Sequence, residues 1–446
     1  MDIMHEISKI FQKEISNIDK LLIILIFPFP LYLATSIFIA DFFSSIAGLL
    51  LIFLYSYKEN RKIFKTLNKE IFFLIILYLI ILVNFAFSEF KEQSFLASIF
   101  YFRYLLVSLT IFYLLKKFEN LHRSFVIIIF GSFLIVLFDS YFQKIMGYNL
   151  FGYNIIEKYG FAYLTGFFNE EKKLGSFLIR FLPLVLGLVY FTKLNKFKYF
   201  NVIFVLVTSF IIFNSSERVA LFLLFVFLFF FIITNKNKIV ISSILIFFLL
   251  FLFATNKGLK HKFINVTLMQ IELLKYDSGK EKNNDSKYIR YFSKEHEDLS
   301  YTALQIFKKQ IFLGSGVKTF YQKCEKLKQS NLEIKDNPRN NVLTCSTHPH
   351  NTYLQILSEI GIFGFLLIGY FFIYLLLNQK NLIFKNNLLN KNYLCFYFIN
   401  LSLIISLMPI IPSGNIFNNW ISLMIYYPLG FWIYIKNNFF NNEIKQ

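Results

Sequence analysis

The sequence predicts an all-α polytopic membrane protein, with about 12 transmembrane helices and one large outward-facing loop between helices 9 and 10. Three observations predict it. Of 446 residues, 56% are hydrophobic and only 16% charged, against about 25% charged in soluble domains. The apolar residues gather into runs that can cross a hydrocarbon core of ~30 Å, which takes about 20 helical residues. Lys and Arg concentrate in alternate connections between those runs, the bias that orients helical membrane proteins.

Ahead of the first run, Ile3, Ile7, Ile10, Phe11, Ile15 and Ile18 keep helical spacing beside Lys9, Lys13, Glu14 and Lys20. This is the pattern of a helix lying in the membrane interface. The run that follows lacks a small-residue cleavage site and is too long for a signal peptide, so it is expected to stay as an anchor. Apolar runs fall at 21–40, 42–57, 71–88, 95–115, 124–142, 174–192, 199–214, 219–234, 239–254, 353–377, 393–411 and 417–435. With the N-terminus inside, the inner connections carry 21 of the 46 Lys+Arg. The short outer ones carry almost none: one at Lys91, one at Arg218, and none at Asp41 or 412–416. Both termini are therefore expected in the cytoplasm.

The long segment 255–352 then faces outward; its 17 Lys+Arg and 10 Asp+Glu do not count against this, because long loops escape the charge rule. The chain thus reads as helices 1–9 over 1–254, the loop over 255–352, and helices 10–12 over 353–446. Inside the loop, Leu299, Ala303, Ile306, Phe307 and Ile311 share a helical face, and the helix should stop at Leu313-Gly314-Ser315-Gly316. A second helix fits Phe263 to Leu274, and 276–290 reads as polar and mobile. The net charge of +19 is taken up by sidedness and the loop, so membrane lipids and not nucleic acid are the expected partners.

Charged residues inside spans are costly and mark sites. Arg103 and Arg180 fall in the outer halves of their spans, and Arg218 stands at the outer mouth of another. Either they snorkel to headgroups or pair locally, as Glu217 with Arg218, or their guanidiniums clamp a phosphate or diphosphate. The densest polar cluster is Cys345-Ser346-Thr347-His348-Pro349-His350-Asn351-Thr352-Tyr353, which joins the loop to the tenth span. His350 sits where a water-exposed base meets the bilayer surface. Cys324 and Cys345 face outward and read as a disulfide; the other reading is zinc held by both cysteines with His348 and His350. Cys395 falls within a span and should stay free. Glu359 is a second acid or base, or a partner for an arginine. Glu171, next to Glu170, is either a solvated loop acid or a neighbour of Arg180. No Walker loop, dinucleotide fingerprint or nucleophile elbow is present, and no cofactor or metal is expected.

The segments SSERVALF, FLGSGVKTF and HPHNTYLQILSEIGIFG, in this order around the outward loop, resemble the O-antigen ligase and O-antigen polymerase superfamily; GFFNEEKKLGSFLIRFLPL and FDSYFQKIMGYNLFGYN resemble its middle section. The likeness covers roughly 100–380 and is nearest to the ligases. It implies a type C glycosyltransferase-like fold in the bacterial inner membrane, with its active site facing the periplasm. It further implies an inverting, metal-independent transfer of a glycan from undecaprenyl diphosphate to a hydroxyl of the lipid A-core, in lipopolysaccharide biosynthesis. Polymerases use another carrier-linked glycan as acceptor, and protein O-oligosaccharyltransferases a protein hydroxyl. The resemblance puts His350 at the reacting centre and gives the diphosphate to Arg218 and a loop arginine, for which Arg290 is nearest; His296 takes that place if SKEHEDLSYTAL is aligned there. A polysaccharide flippase is the non-enzyme alternative, but a histidine-bearing loop confined to one half of the chain favours an enzyme over the repeat symmetry of transporters.

A periplasm-dependent reporter fused near Asn284 should be active, and one near Asn60 or Asn387 silent. Activity at Asn60 would overturn the outward assignment of the loop.

Overall fold

The computed structural model describes residues 3–12, 15–158, 160–192, 199–273, 289–330, 341–384 and 390–440. In chain order the helices are α1 (Ile3–Ser8), α2 (Asn17–Ile26), α3 (Phe29–Thr35), α4 (Ile37–Tyr55), α5 (Lys58–Phe64), α6 (Asn68–Phe87), α7 (Lys91–Ile99), α8 (Phe102–Lys117) and α9 (His122–Met146). A hairpin of β1 (Ile156–Lys158) and β2 (Phe161–Tyr163) follows, paired antiparallel with Glu157 opposite Ala162. Then come α10 (Leu174–Thr192), α11 (Phe200–Asn214), α12 (Arg218–Ile233), α13 (Lys238–Thr255), α14 (Lys257–Lys260), a π-turn (His261–Val266) and α15 (Thr267–Gln270). The chain closes with α16 (Lys294–Lys309), α17 (Phe320–Gln329), α18 (Thr352–Phe384), α19 (Lys391–Ser406) and α20 (Asn419–Ile435).

Seven of the described helical segments are long and apolar enough to cross a membrane, eight if the bent pair α2 and α3 is one crossing. This is a multi-pass helical membrane protein. The expected spans at 199–214, 219–234, 393–411 and 417–435 fall on α11, α12, α19 and α20, of 15, 16, 16 and 17 residues. Those lengths are short of the ~20 residues of a standard crossing. The expected mobile stretch 276–290 lies, but for its last two residues, outside the described residues.

The N-terminal third departs most from expectation. The single interfacial helix over 2–20 is instead two: Ser16, in extended backbone, accepts the Asp19 N–H at 3.2 Å and starts α2 afresh. Helix α1 packs on α9, where Ser124 Oγ donates to the Glu6 carbonyl at 2.7 Å. The first expected span is broken at Pro28-Phe29-Pro30, where α2 and α3 meet at 52°, because proline removes a donor and crowds the preceding turn. Ser36 then caps α4, so Asp41, expected in an outer turn, lies inside a helix and binds Arg103.

Helix α10 packs along α19 and α8 along α20, forming the buried centre. With no water to satisfy them there, side-chain hydroxyls hydrogen-bond backbone across helices: Ser108 Oγ donates to Tyr426 O at 2.7 Å and Ser402 Oγ to Arg180 O at 2.6 Å.

The loop is tied to this bundle by a break in α18. Gly361 takes φ 73° and interrupts the helix, leaving carbonyls without helical donors. Segment 311–316 fills the gap: Ser315 N donates to Ser358 O and Gly316 N to Glu359 O, both at 2.9 Å, while Ile362 N donates to Ile311 O at 2.9 Å. Asn84 of α6 bridges the Leu313 and Glu359 carbonyls, and Ser88 Oγ donates to Ser315 O at 2.8 Å. Gly314, at φ 69°, lies so close to Glu359 that a Cβ would strike its backbone, and a Cβ on Gly361 would strike the Phe312 carbonyl. The helix stop expected at 313–316 is therefore the loop's docking strand. Above it, Leu299, Ala303, Ile306, Phe320 and Leu327 form a small core against Leu343 and Leu354, and Cys324–Cys345 is a disulfide with Cα atoms 5.5 Å apart. Cys395 is free and buried.

Gly361→Ala combines left-handed backbone with a collision, and such strain costs about 1–3 kcal/mol before any steric clash. The purified variant should show a clearly lowered melting temperature in detergent; an unchanged one would mean that the break does not hold the loop.

Candidate active site

The segment 347–355 is organised by the turn that follows α19. His350 adopts φ 53°, a backbone region that non-glycine residues rarely occupy, and its carbonyl accepts from Ser413 N at 2.9 Å. Asn351 caps α18, its Oδ1 accepting from Tyr353 N and Leu354 N at 3.0 and 3.1 Å, while its Nδ2 donates to Pro409 O at 2.7 Å. Thr352 Oγ1 meets Ser413 Oγ at 2.8 Å, Tyr353 OH donates to Leu407 O at 3.0 Å, and Gln355 Oε1 accepts from Ile416 N at 3.1 Å. The motif's polar side chains are thus largely spent on holding 407–416.

The two histidines of the motif are used differently. His348 has a ring nitrogen on each of two partners, Nδ1 with Thr347 Oγ1 at 3.0 Å and Nε2 with the Ser413 carbonyl at 3.2 Å. A carbonyl only accepts, so Nε2 carries the proton. Burial, then the neighbouring His350, pushes the His348 pKa down to about 4, against the Ser413 carbonyl. It is a neutral strut. His350 lies against it with ring centroids 4.2 Å apart and the planes tilted by 56°, and its ring nitrogens make no hydrogen bond among the described residues. Burial holds its pKa below the ordinary histidine value, opposed by Glu295, so near neutral pH the imidazole is uncharged and able to accept a proton. His296, on α16, stands 6.0 Å from His350 between ring centroids, with Nδ1 2.7 Å from Ser293 Oγ. Burial and the charges of His350 and Arg218 lower its pKa, with Glu295 acting the other way. Arg218 therefore lies within electrostatic reach of the histidine group.

The turn Ser215-Ser216-Glu217 presents Arg218. Ser216, at φ 62°, donates from Oγ to Ala162 O at 2.6 Å and ties the turn to the hairpin. Glu217 caps α10, accepting from Gly175 N at 2.6 Å, Ser176 N at 3.0 Å and Ser176 Oγ at 2.7 Å. Arg180, buried one turn further along α10, donates to Ser176 O at 3.1 Å and feels the Glu217 charge. Arg218 donates from Nη1 to Gln270 Oε1 at 2.5 Å, with Thr267 Oγ1 at 3.5 Å, both uncharged groups of α15. Its charge is therefore not neutralised by a hydrogen-bonded carboxylate. Arg218 thus acts on His296, which in turn flanks the unprotonated His350 imidazole.

Residues 202–369 match the family model for O-antigen ligase. The match supports the O-antigen ligase superfamily. No curated protein matches the chain. The matched span holds Arg218, His296, His350 and Glu359, and excludes Arg103 and Arg180.

Other residues singled out from the sequence lie elsewhere or are engaged. Arg103 is paired with Asp41 through Nε at 2.9 Å and Nη2 at 3.2 Å, and also donates to Tyr104 OH and Phe100 O. Arg290 sits between Glu272 and Glu297, which raise its pKa; it joins 271–272 to the start of α16 with its charge balanced. Glu171 pairs with Lys173 at the surface. Glu359, which the sequence offered as an acid, base or arginine partner, instead accepts from Lys318 N at 3.1 Å, Phe320 N at 3.3 Å and Gln355 Nε2 at 3.0 Å, and so caps α17. The disulfide removes both thiolates that the zinc reading needed. Sequence reasoning missed Lys172, Lys262 and Tyr163; a lysine in a lysine-rich loop carries no signal of its own, and only the hairpin brings these three together.

Proposed function

We propose that the protein transfers an O-antigen-like glycan from undecaprenyl diphosphate to a lipid A-core hydroxyl at the periplasmic face of the inner membrane, with His350 as general base. The observation that carries this reading is the neutral His350 imidazole, without a ring hydrogen bond among the described residues and flanked by His296, which lies within electrostatic reach of Arg218. An alcohol attacking an anomeric carbon must lose its proton, whereas a diphosphate leaving group needs its growing charge stabilised. In the proposed step the acceptor oxygen bonds to the anomeric carbon from the side opposite the diphosphate. The bond from that carbon to the phosphate oxygen breaks, its electron pair leaves with the diphosphate, and His350 takes the hydroxyl proton. Configuration inverts. His348 fixes the ring beside it and His296 flanks it. Arg218 supplies the planar donors that suit diphosphate oxygens, so the reading needs no metal.

Purified protein in detergent with carrier-linked glycan and acceptor tests the proposal. His350→Ala should lower transfer by about 10²–10⁴-fold while retaining carrier binding, and Arg218→Ala should lose both, with lysine at 218 a poor substitute. Because the base must be neutral and its pKa is depressed, activity should be lost only as pH falls below the ordinary histidine value of about 6.5. A chelator should change nothing. Full activity of His350→Ala would overturn the base, and loss on chelation restored by magnesium or zinc would overturn the arginine-based account. In a deletion strain, lipid A-core lacking all O-chains would identify the ligase reaction, and core bearing a single repeat unit would identify polymerisation.

A further inference from the structure

Lys262 is an exception among the described lysines. It lies in the π-turn between α14 and α15, only 5% exposed, and its Nζ has no hydrogen-bond partner among the described residues. A buried ammonium without partners costs several kcal/mol in general, so its retention calls for an explanation. Its one close neighbour is aromatic: Nζ stands 3.4 Å from the Tyr163 ring centroid and 5.2 Å from that of Phe161. Lys172 Nζ stands 3.5 Å from the same Tyr163 ring. Two ammoniums gripping one ring gain cation–π attraction but repel each other, and Arg218 adds a third positive charge to the same locality. Burial first, then Lys172 and Arg218, push the Lys262 pKa down to about 7, with Glu217 opposing. Glu217 acts on Lys262 only through space, because its oxygens are hydrogen-bonded to the N-terminus of α10. The result is a cluster of cations built on the hairpin and the π-turn, in which the Lys262 ammonium has no hydrogen-bond acceptor among the described residues.

We propose that Lys262, with Lys172 beside it, binds one phosphate of a diphosphate headgroup whose other phosphate is held by Arg218. This rests on the transferase reading and names its second phosphate contact, a role for which Arg290 is poorly suited because its charge is balanced by Glu272 and Glu297. The hairpin then has a function: Tyr163 on β2 orients both ammoniums, and Ser216 ties that strand to the turn that presents Arg218, so the three cations move as one unit. Bound diphosphate would supply the acceptors that Lys262 lacks.

The test uses the full-length protein in detergent, with inorganic pyrophosphate and undecaprenyl diphosphate as probes. Lys262→Met removes the charge at similar volume. It should weaken binding of both probes by about tenfold or more, the scale of one lost charge-assisted hydrogen bond. Its melting temperature without ligand should be unchanged or higher, because a buried unpartnered charge has gone. Lys262→Arg should bind within about threefold of the unaltered protein. A purely structural lysine would give the opposite pattern, a lowered melting temperature with unchanged binding, and that outcome overturns the proposal. If Lys262→Met binds normally while His350→Ala abolishes transfer, the assignment of Lys262 fails and the transferase reading stands. If the unaltered protein binds neither probe, both fall.

Discussion

The break in α18 at Gly361 is the constraint on which the rest of the structure depends. An interrupted helix within a membrane protein leaves backbone carbonyls that must find donors, because no bilayer water will supply them. Here the donors come from 315–316 and from Asn84, which means that the loop after α16 is bound to the bundle by main chain. The Glu359 carboxylate, two residues before the break, extends the same attachment to the start of α17. From α17 the disulfide passes to Cys345, and from Cys345 five residues lead to His350. His350 is thus positioned from two sides, by this path and by the 407–416 turn, and its left-handed backbone is sustained by the contacts around it.

Charge at the site is divided in a consistent way. Asp41 is committed to Arg103, Glu217 to the N-terminus of α10, Glu272 and Glu297 to Arg290, and Glu359 to α17. Arg218 and Lys262 have no hydrogen-bonded carboxylate among the described residues, while the Glu295 charge acts on His296 and His350. On the proposed reading, cations met only by neutral or aromatic groups are the ones that would receive an anion. The histidines complete the asymmetry, since burial keeps His350 and His348 below the ordinary histidine pKa and the imidazoles do not compete for that anion.

Much of this was legible from residue order. Hydropathy located the helices because lipid imposes long apolar runs, and the helix of 294–309 followed from the spacing of Leu299, Ala303 and Ile306. His350 and Arg218 stood out through their neighbours, one in a polar cluster at a span mouth, the other beside a Ser-Ser-Glu turn. The break at Gly361 could not be read, because a glycine inside an apolar run is common in membrane helices and its partner Gly314 lies 47 residues away. The partners of Arg103 and Glu359 were hidden for a related reason: a charge in a span signals cost, but whether a carboxylate or a helix end meets that cost is decided by tertiary contacts. The hairpin of 156–163 is too short to show alternation, so Lys172, Lys262 and Tyr163 remained separate residues until folding joined them.

The most direct test of the account is a cryo-electron microscopy structure of the protein with undecaprenyl diphosphate bound. The account places the diphosphate within hydrogen-bonding distance of Arg218, with the outer phosphate, which would bear the sugar, turned toward His350 and no carboxylate between them. Density for the diphosphate at Arg290 or Arg103, with Arg218 still on Gln270 and His350 remote, would contradict it.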